Sequence, residues 1–87
     1  MLQITYTERF HKHYKNLTDK EKKQFRNKLI LFQNNPLHPS LRVKRIQGTD
    51  DIFEFSVNMD IRVIWFYECE TLVALVDIGH HDIMTRF

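Results

Sequence analysis

The sequence predicts an α+β fold in which a two-helix antiparallel hairpin packs on one face of an antiparallel sheet. Three patterns predict it: a short alternating segment at the start, apolar residues at helical spacing over residues 8–34, and several strand-like segments separated by turns. The predicted order is β-α-α-β-β-β-β. Because short turns join the last four strands, we expect them to form a meander with both helices on one face. With 87 residues, the chain is expected to be one domain, 1–87.

The first half of the chain supplies one strand and two helices. Residues 2–6 alternate between apolar and polar side chains, which predicts a strand. Thr7 is the predicted N-cap of a helix over residues 8–16. The segment at 18–21 reads Thr-Asp-Lys-Glu, a capping box that starts a second helix running to about Asn34. A proline two residues later ends this helix, since proline cannot continue one.

The second half is predicted to contain four strands. The first, at 41–46, has the least regular alternation. The second, around 53–57, alternates aromatic and polar residues and is expected to be half-buried. Residues 61–66 form the third. The fourth, 72–78, is nearly all apolar, so both of its faces should be covered and it should be interior to the sheet. We expect it to end at Gly79, before a polar tail that forms at most one helical turn.

Composition excludes several classes of protein. Hydrophobic residues make up 43% of the chain and charged residues 28%, which excludes a disordered segment. No apolar run approaches the roughly 20 residues that a membrane span needs. The opening residues do not resemble a signal peptide, and one cysteine cannot form an internal disulfide, so we expect a cytoplasmic location. That cysteine, Cys69, lies between two glutamates, which should raise the pKa of its thiol and argue against catalysis.

Charge is distributed unevenly along the chain. Residues 1–45 contain 11 Lys and Arg and 3 Asp and Glu, whereas residues 46–87 contain 2 Lys and Arg and 8 Asp and Glu. This asymmetry indicates a polyanion or an acidic partner for the first half. A lysine-rich helix with a solvated outer face would give the same pattern, so charge alone leaves both interpretations open.

Three segments together resemble a known family. They are residues 45–55 (Arg-Ile-Gln-Gly, then Asp-Ile-Phe-Glu-Phe after a turn), 60–65 (Asp-Ile-Arg-Val-Ile-Trp) and 76–82 (Val-Asp-Ile-Gly-His-His-Asp). In order and spacing they are similar to segments of the RelE/ParE toxin superfamily, and the resemblance is closest to the histidine-using, YafQ-like mRNA interferases. The family contains both ribosome-dependent mRNA endonucleases and gyrase inhibitors that cleave nothing, and fold alone does not choose between them.

The resemblance implies the toxin of a type II toxin–antitoxin system with a RelE-like fold. Its implied partners are a cognate antitoxin, in a heterotetramer or larger complex, and mRNA on the ribosome. The implied activity is a metal-independent endoribonuclease that blocks translation and needs no cofactor. The alternatives are a non-catalytic, ParE-like gyrase inhibitor and an inactive relative that only binds an antitoxin.

Cleavage of RNA without a metal needs a base for the 2′-hydroxyl, a cation for the charged transition state and an acid for the leaving oxygen. His81 matches the family position held by His or Arg, and Arg62 matches the functional arginine of the RNA-cleaving members. Asp60 and His38 match an acid and a histidine in some histidine-using relatives. Each residue also has a structural alternative. His81 would be a surface histidine and Arg62 an ion-paired arginine on a strand. Asp60 would be a turn aspartate and His38 a loop histidine.

Four further residues are candidates for RNA binding. Arg42, Lys44 and Arg45 form a basic cluster in which Arg42 and Lys44 would share one face of a strand and bind backbone phosphates. The alternative is a charged edge strand that resists aggregation. Phe87 lies where relatives carry an aromatic that stacks on a base, although it would equally fit the core.

The resemblance fails at one place, and the histidines give no metal signature. Where many RNA-cleaving members carry basic residues on the first hairpin strand, this chain has Glu54 and Ser56. We therefore do not expect a mechanism based on lysines. We expect a catalytic site formed by a histidine, an arginine and an acidic residue. His11 and His13 are two residues apart in a predicted helix and face different sides, so they are not a metal pair at helical spacing.

Overall fold

The computed structural model describes residues 1–80, which form one sheet and two helices. The predicted tail, with His81, Asp82 and Phe87, lies outside the described residues. The elements, in chain order, are β1 (Gln3–Tyr6), α1 (Glu8–Tyr14), α2 (Asp19–Asn34), a 3₁₀ turn (Pro39–Leu41), β2 (Lys44–Arg45), β3 (Phe53–Ser56), β4 (Ile61–Cys69) and β5 (Leu72–His80). No helix within this part of the chain is long and apolar enough to cross a bilayer.

The sheet has the strand order β1-β5-β4-β3-β2. Strands β2 to β5 form the predicted antiparallel meander. The N-terminal strand β1 lies at one edge and pairs with β5 in parallel, with Gln3 opposite Leu72. The α+β fold predicted from the sequence is confirmed, and β5 is interior to the sheet, as its apolar sequence indicated.

Both helices begin where their capping residues predict. The Thr7 side chain accepts a hydrogen bond from the Phe10 N–H, and the reciprocal bonds of the capping box join Thr18 and Glu21. The first helix ends at Tyr14, two residues earlier than expected. The N–H of Lys15 still bonds to a carbonyl four residues back, but those of Asn16 and Leu17 bond to carbonyls three residues back, which tightens the chain and turns Leu17 into the core.

The main core lies between the helices and the sheet and is built largely from aromatic rings. Phe32 of α2 is fully buried and packs against Phe55 and Trp65, with ring centroids 4.8 Å away in both cases. A smaller apolar cluster contains Ile46 and Ile64, and Ile64 comes from the other face of the sheet. Side chains on that face include those of Glu54 and Arg62, because β3 and β4 alternate between the faces.

Two strand predictions were wrong. The predicted strand at 41–46 is reduced to Lys44–Arg45, because the residues before it form a 3₁₀ turn and Arg42 adopts a left-handed backbone with φ of 51°. Strand β3 is not half-buried, since Glu54 is 4% and Ser56 7% exposed. The cross-strand neighbour of Glu54 is Ile64, which is itself covered by the small apolar cluster.

Two predictions about the ends of β4 and β5 were also wrong. Strand β5 continues past Gly79, because Gly79 pairs with Arg62 and His80 with Ile61 on the neighbouring strand. The pKa of the exposed Cys69 thiol is lowered rather than raised. Hydrogen bonds from the Thr71 backbone and side chain favour the thiolate more than the neighbouring Glu68 disfavours it.

Candidate functional site

Arg62 is held by the turn between β3 and β4. Its Nη1 atom donates to the carbonyl oxygens of Asn58, Met59 and Ile61 at 2.8, 3.0 and 3.3 Å. The Nε and Nη2 atoms of Arg62 make no hydrogen bond within residues 1–80. The guanidinium is therefore fixed through one nitrogen and retains donors that match phosphate oxygens. No carboxylate among these residues forms a salt bridge with it.

Asp60 lies in the same turn and is exposed. Its backbone N–H donates to the Asn58 side-chain oxygen at 2.8 Å, and so does the N–H of Ile61. The Asn58 amide nitrogen donates in turn to Gln24 of α2 at 2.9 Å. Asn58 thus closes the turn and ties it to the helical layer. The structure brings Asp60 and Arg62 to one turn, and it gives the Asp60 carboxylate no structural partner within the described chain.

The polar side chains nearest Arg62 follow from the register of the sheet. Ser56 lies directly opposite Arg62, and Lys44 directly opposite Glu54, so all four share the face that points away from the helices. Glu54 is a diagonal neighbour of Arg62. Its Oε2 atom is buried and accepts no hydrogen bond from any of residues 1–80. A buried carboxylate oxygen without a donor is costly, so its presence in the fold requires an explanation.

The predicted basic cluster does not form one patch. Lys44 lies on the same face as Glu54, whereas Arg45 pairs with Phe53 and its guanidinium lies 5.7 Å from the Phe53 ring centroid. Arg42 is exposed at the end of the 3₁₀ turn. Arg42 and Lys44 therefore do not share a strand face, because the strand begins only at Lys44 and the backbone of Arg42 is left-handed.

His38 caps the 3₁₀ turn. Its Nδ1 atom accepts a hydrogen bond from the Ser40 N–H at 3.1 Å and lies 2.9 Å from the Ser40 hydroxyl oxygen. An Nδ1 atom that accepts from a backbone N–H carries no proton, so Nε2 carries it in the neutral ring. In this arrangement His38 can donate a hydrogen bond from Nε2 but cannot accept a proton there.

A buried carboxylate on β5 contacts two side chains of α1. Asp77 is fully buried, and its Oδ1 atom lies 2.5 Å from His13 Nδ1 while its Oδ2 atom lies 3.0 Å from Arg9 Nε. Sequence reasoning considered His13 only as a metal ligand and assigned Asp77 no role. The available signal was a single carboxylate within an otherwise apolar strand, because a buried charge requires a partner elsewhere in the fold.

An aromatic pocket of 340 Å³ opens between β1, α1 and α2. Arg26 lines this pocket, with Nη1 3.5 Å from the Tyr14 hydroxyl oxygen, and the Nζ atom of Lys22 lies 5.5 Å from the Tyr14 ring centroid. Burial, and to a lesser degree the neighbouring Tyr14, raises the pKa of Tyr6. The pocket is lined by Tyr6, Phe10, His11, Tyr14, Phe25, Arg26 and Leu29.

The predicted site residues are only partly brought together. Arg62 and Asp60 share a turn, and Lys44 lies on the same sheet face as Arg62. His38 is in the loop before β2, and His81 and Phe87 lie outside the described residues. Within residues 1–80, no group of three or more His, Cys, Asp or Glu side chains is placed to hold a metal ion.

Several solved toxin structures share this fold. YafQ from Escherichia coli strain BL21(DE3) has a TM-score of 0.77 at 18% identity, covering 97% of this chain and 98% of its own. A metal-bound toxin from Helicobacter pylori has a TM-score of 0.75 at 23% identity, and the match covers 95% of this chain and 98% of the toxin. A chain of the intact E. coli RelBE toxin–antitoxin complex has a TM-score of 0.73 at 16% identity, and the match covers 92% of this chain and 96% of that one.

No protein-family model matches the sequence, and no curated protein sequence matches it either. At these identities the likeness is one of fold. The RelE-like architecture expected from the three sequence segments is confirmed, with YafQ among the structures that share it.

Proposed function

We propose that this chain is the toxin of a type II toxin–antitoxin pair and that it cleaves mRNA on the ribosome, in the cytoplasm, without a metal ion. The observation that carries the proposal is Arg62, whose guanidinium is fixed at a turn by one nitrogen and retains two nitrogens without a partner in the described chain. A prepositioned guanidinium of this kind suits a phosphate whose charge increases in the transition state.

The proposed chemistry is attack by an RNA 2′-hydroxyl on the adjacent phosphate. Arg62 would stabilise the added charge on the phosphate oxygens, and His81 would exchange a proton with the reacting oxygens. Asp60, on the same turn as Arg62, would orient a histidine. His38, whose neutral ring carries its hydrogen on Nε2 in the observed conformation, would donate a hydrogen bond to a phosphate oxygen.

Substrate binding in this proposal uses separate cations rather than one cluster. Lys44 lies on the sheet face of Arg62 and would contact the RNA backbone beside the reacting phosphate. Arg42 and Arg45 would contact phosphates further along the strand. Phe87 would stack on a base, a contact worth roughly 1–3 kcal/mol.

The test of this function is growth arrest on induced expression in bacteria. Wild-type protein should stop growth, whereas Arg62→Ala and His81→Ala should not, with circular dichroism showing that both variants fold. Lys20→Ala, an exposed change on α2, serves as the matched control and should arrest growth like wild type. Full toxicity of both site variants would show that the residue assignment is wrong. Arrest without mRNA cleavage but with inhibited DNA supercoiling would favour a gyrase inhibitor.

The proposed antitoxin contact is the aromatic pocket between the helices. Its apolar lining suits an aliphatic or aromatic side chain, and two cations, Arg26 in the lining and Lys22 near the Tyr14 ring, suit neighbouring carboxylates. Together they fit an acidic, amphipathic segment of the antitoxin. Co-purification with the product of the adjacent reading frame tests this: Leu29→Asp should abolish co-purification and Arg26→Glu should weaken it. Unchanged co-purification of both variants would place the antitoxin elsewhere.

A further inference from the structure

We propose that Met59 is a binding residue for the RNA substrate, and that its side chain packs on the face of a base next to the phosphate held by Arg62. This assignment rests on the proposed endoribonuclease function and adds to it a contact with a nucleobase. It is carried by the turn between β3 and β4, which presents an exposed apolar side chain beside the guanidinium.

The turn that carries Met59 is fixed by its own hydrogen bonds and by a contact with α2. The Asn58 side-chain oxygen accepts from the N–H groups of Asp60 and Ile61, both at 2.8 Å. The Asn58 amide nitrogen donates to the side-chain oxygen of Gln24 at 2.9 Å. These bonds hold the residues on both sides of Met59, so its backbone has a defined position relative to the sheet and to α2.

Arg62 connects the Met59 backbone to the proposed phosphate site. Its Nη1 atom donates to the Met59 carbonyl oxygen at 3.0 Å. The Nε and Nη2 atoms of the same guanidinium are the donors proposed for the phosphate. A phosphate oxygen bound to Nη2 is therefore separated from the Met59 carbonyl oxygen by two hydrogen bonds and the width of one guanidinium. The ribose and base attached to that phosphate lie within reach of the Met59 side chain.

The Met59 side chain suits the face of a nucleobase. It is 84% exposed, and covering its apolar surface would be favourable. Methionine has three rotatable bonds and a polarisable sulfur, so it adapts to the surface of an aromatic ring. Its thioether is at most a weak acceptor. The contact therefore positions the nucleotide but does not read the hydrogen-bonding edge of the base.

Other exposed apolar side chains provide a comparison. Ile30 is 60% exposed on α2, and Leu37 is 76% exposed in the loop after that helix. Within residues 1–80, neither of them shares a hydrogen bond with Arg62. Met59 differs from both because its own carbonyl oxygen accepts from Arg62. Its exposure is therefore coupled to the candidate site, and Ile30 supplies a control for exposure alone.

The competing interpretation is that Met59 is an exposed turn residue that contacts nothing. Single apolar side chains are common on protein surfaces, so exposure by itself does not decide between the two interpretations. They differ in what a substitution does to substrate binding. Met59→Ala removes the thioether but keeps the hydrogen bonds described above, because each of them uses the backbone or another side chain. Met59→Leu keeps an apolar side chain of similar size.

The experiment measures kcat and KM for cleavage of a defined mRNA on purified bacterial ribosomes by the full-length chain. We expect Met59→Ala to raise KM about 2–10-fold with little change in kcat, because a contact that only binds the substrate is lost. Met59→Leu should stay close to wild type. Ile30→Ala, the control, should cleave like wild type. Thermal unfolding of Met59→Ala should also match wild type, because the side chain is exposed.

A substrate that lacks one base tests the contact itself. An abasic nucleotide is placed first on one side of the scissile phosphate and then, in a second substrate, on the other side. For one of these substrates, wild type and Met59→Ala should have the same KM, because the missing base and the missing side chain remove the same contact. For the other, the difference between the two proteins should equal that on intact mRNA.

Several outcomes would overturn this assignment. Equal KM values for wild type and Met59→Ala on intact mRNA would leave Met59 without a role in binding. A KM difference that persists on both abasic substrates would show that the side chain contacts something other than a base. A lower melting temperature of Met59→Ala would make it a structural residue. If the wild-type chain cleaves no mRNA on ribosomes, the proposed function fails and this assignment fails with it, whereas cleavage by wild type with an unchanged KM for Met59→Ala contradicts only the assignment of Met59.

Discussion

Arg62 donates a hydrogen bond of 2.8 Å to the carbonyl oxygen of Asn58 across the turn that joins β3 to β4. The same nitrogen also reaches the carbonyls of Met59 and Ile61. One residue therefore stabilises the turn and presents a guanidinium whose other two nitrogens have no hydrogen-bond partner within residues 1–80. Its structural and proposed functional roles use different nitrogens, so substitutions can separate them.

Arg62→Lys should separate the two roles. A lysine ammonium retains the charge and can donate to one or two turn carbonyls, but it lacks the planar fork that matches a phosphate. We expect a loss of about 1 kcal/mol in the free energy of unfolding and a clear loss of toxicity. Denaturant titration and growth curves measure the two effects. A toxic Arg62→Lys variant would show that only positive charge is needed at this position.

Glu54→Gln should stabilise the chain. The Oε2 atom of Glu54 is buried without a donor among residues 1–80, and a neutral amide of the same shape costs less to bury than a carboxylate. We expect a gain of about 1 kcal/mol at neutral pH, which raises the melting temperature by roughly 4–8 °C. Glu68→Gln, at an exposed position on β4, should change little. A destabilised Glu54→Gln variant would mean that the carboxylate has an attractive electrostatic role, toward Lys44 or Arg62.

Tyr6 should make stability fall at alkaline pH. Because burial raises its pKa in the folded state above the unfolded value of 10.0, the folded chain holds this proton more tightly. The resulting stability is fully present below the unfolded pKa and is lost as the pH rises through the folded pKa. Denaturant titrations between about pH 9 and 11 should show a shallower decline for Tyr6→Phe than for wild type. Equal declines would contradict the proposed effect of burial at Tyr6.

The helices and the strand order could be predicted because local signals determine them. Thr7 and the capping box at 18–21 fix the two helix starts, and a run of apolar residues marks β5 as interior. Strand β2 could not be predicted, because its length depends on the 3₁₀ turn that His38 caps and on the left-handed backbone of Arg42. The sequence pattern predicts neither the 3₁₀ turn nor the left-handed backbone of Arg42.

The candidate site was less predictable than the fold, because its contacts join distant parts of the chain. Arg62 was singled out by resemblance, but its bonds to the turn carbonyls depend on a backbone conformation that the sequence does not display. The pairing of Asp77 with His13 spans 64 residues and follows from the packing of α1 on β5. The buried position of Glu54 likewise depends on its cross-strand neighbour, Ile64.

Mapping of mRNA ends in growing cells tests the central claim most directly. Primer extension on abundant transcripts, shortly after induction, should show new cuts within reading frames for the wild-type chain and none for Arg62→Ala. The Lys20→Ala control should give the wild-type pattern of cuts. Growth arrest by the wild-type chain with intact transcripts, or identical cuts from Arg62→Ala, would contradict the proposal that this chain cleaves mRNA through Arg62.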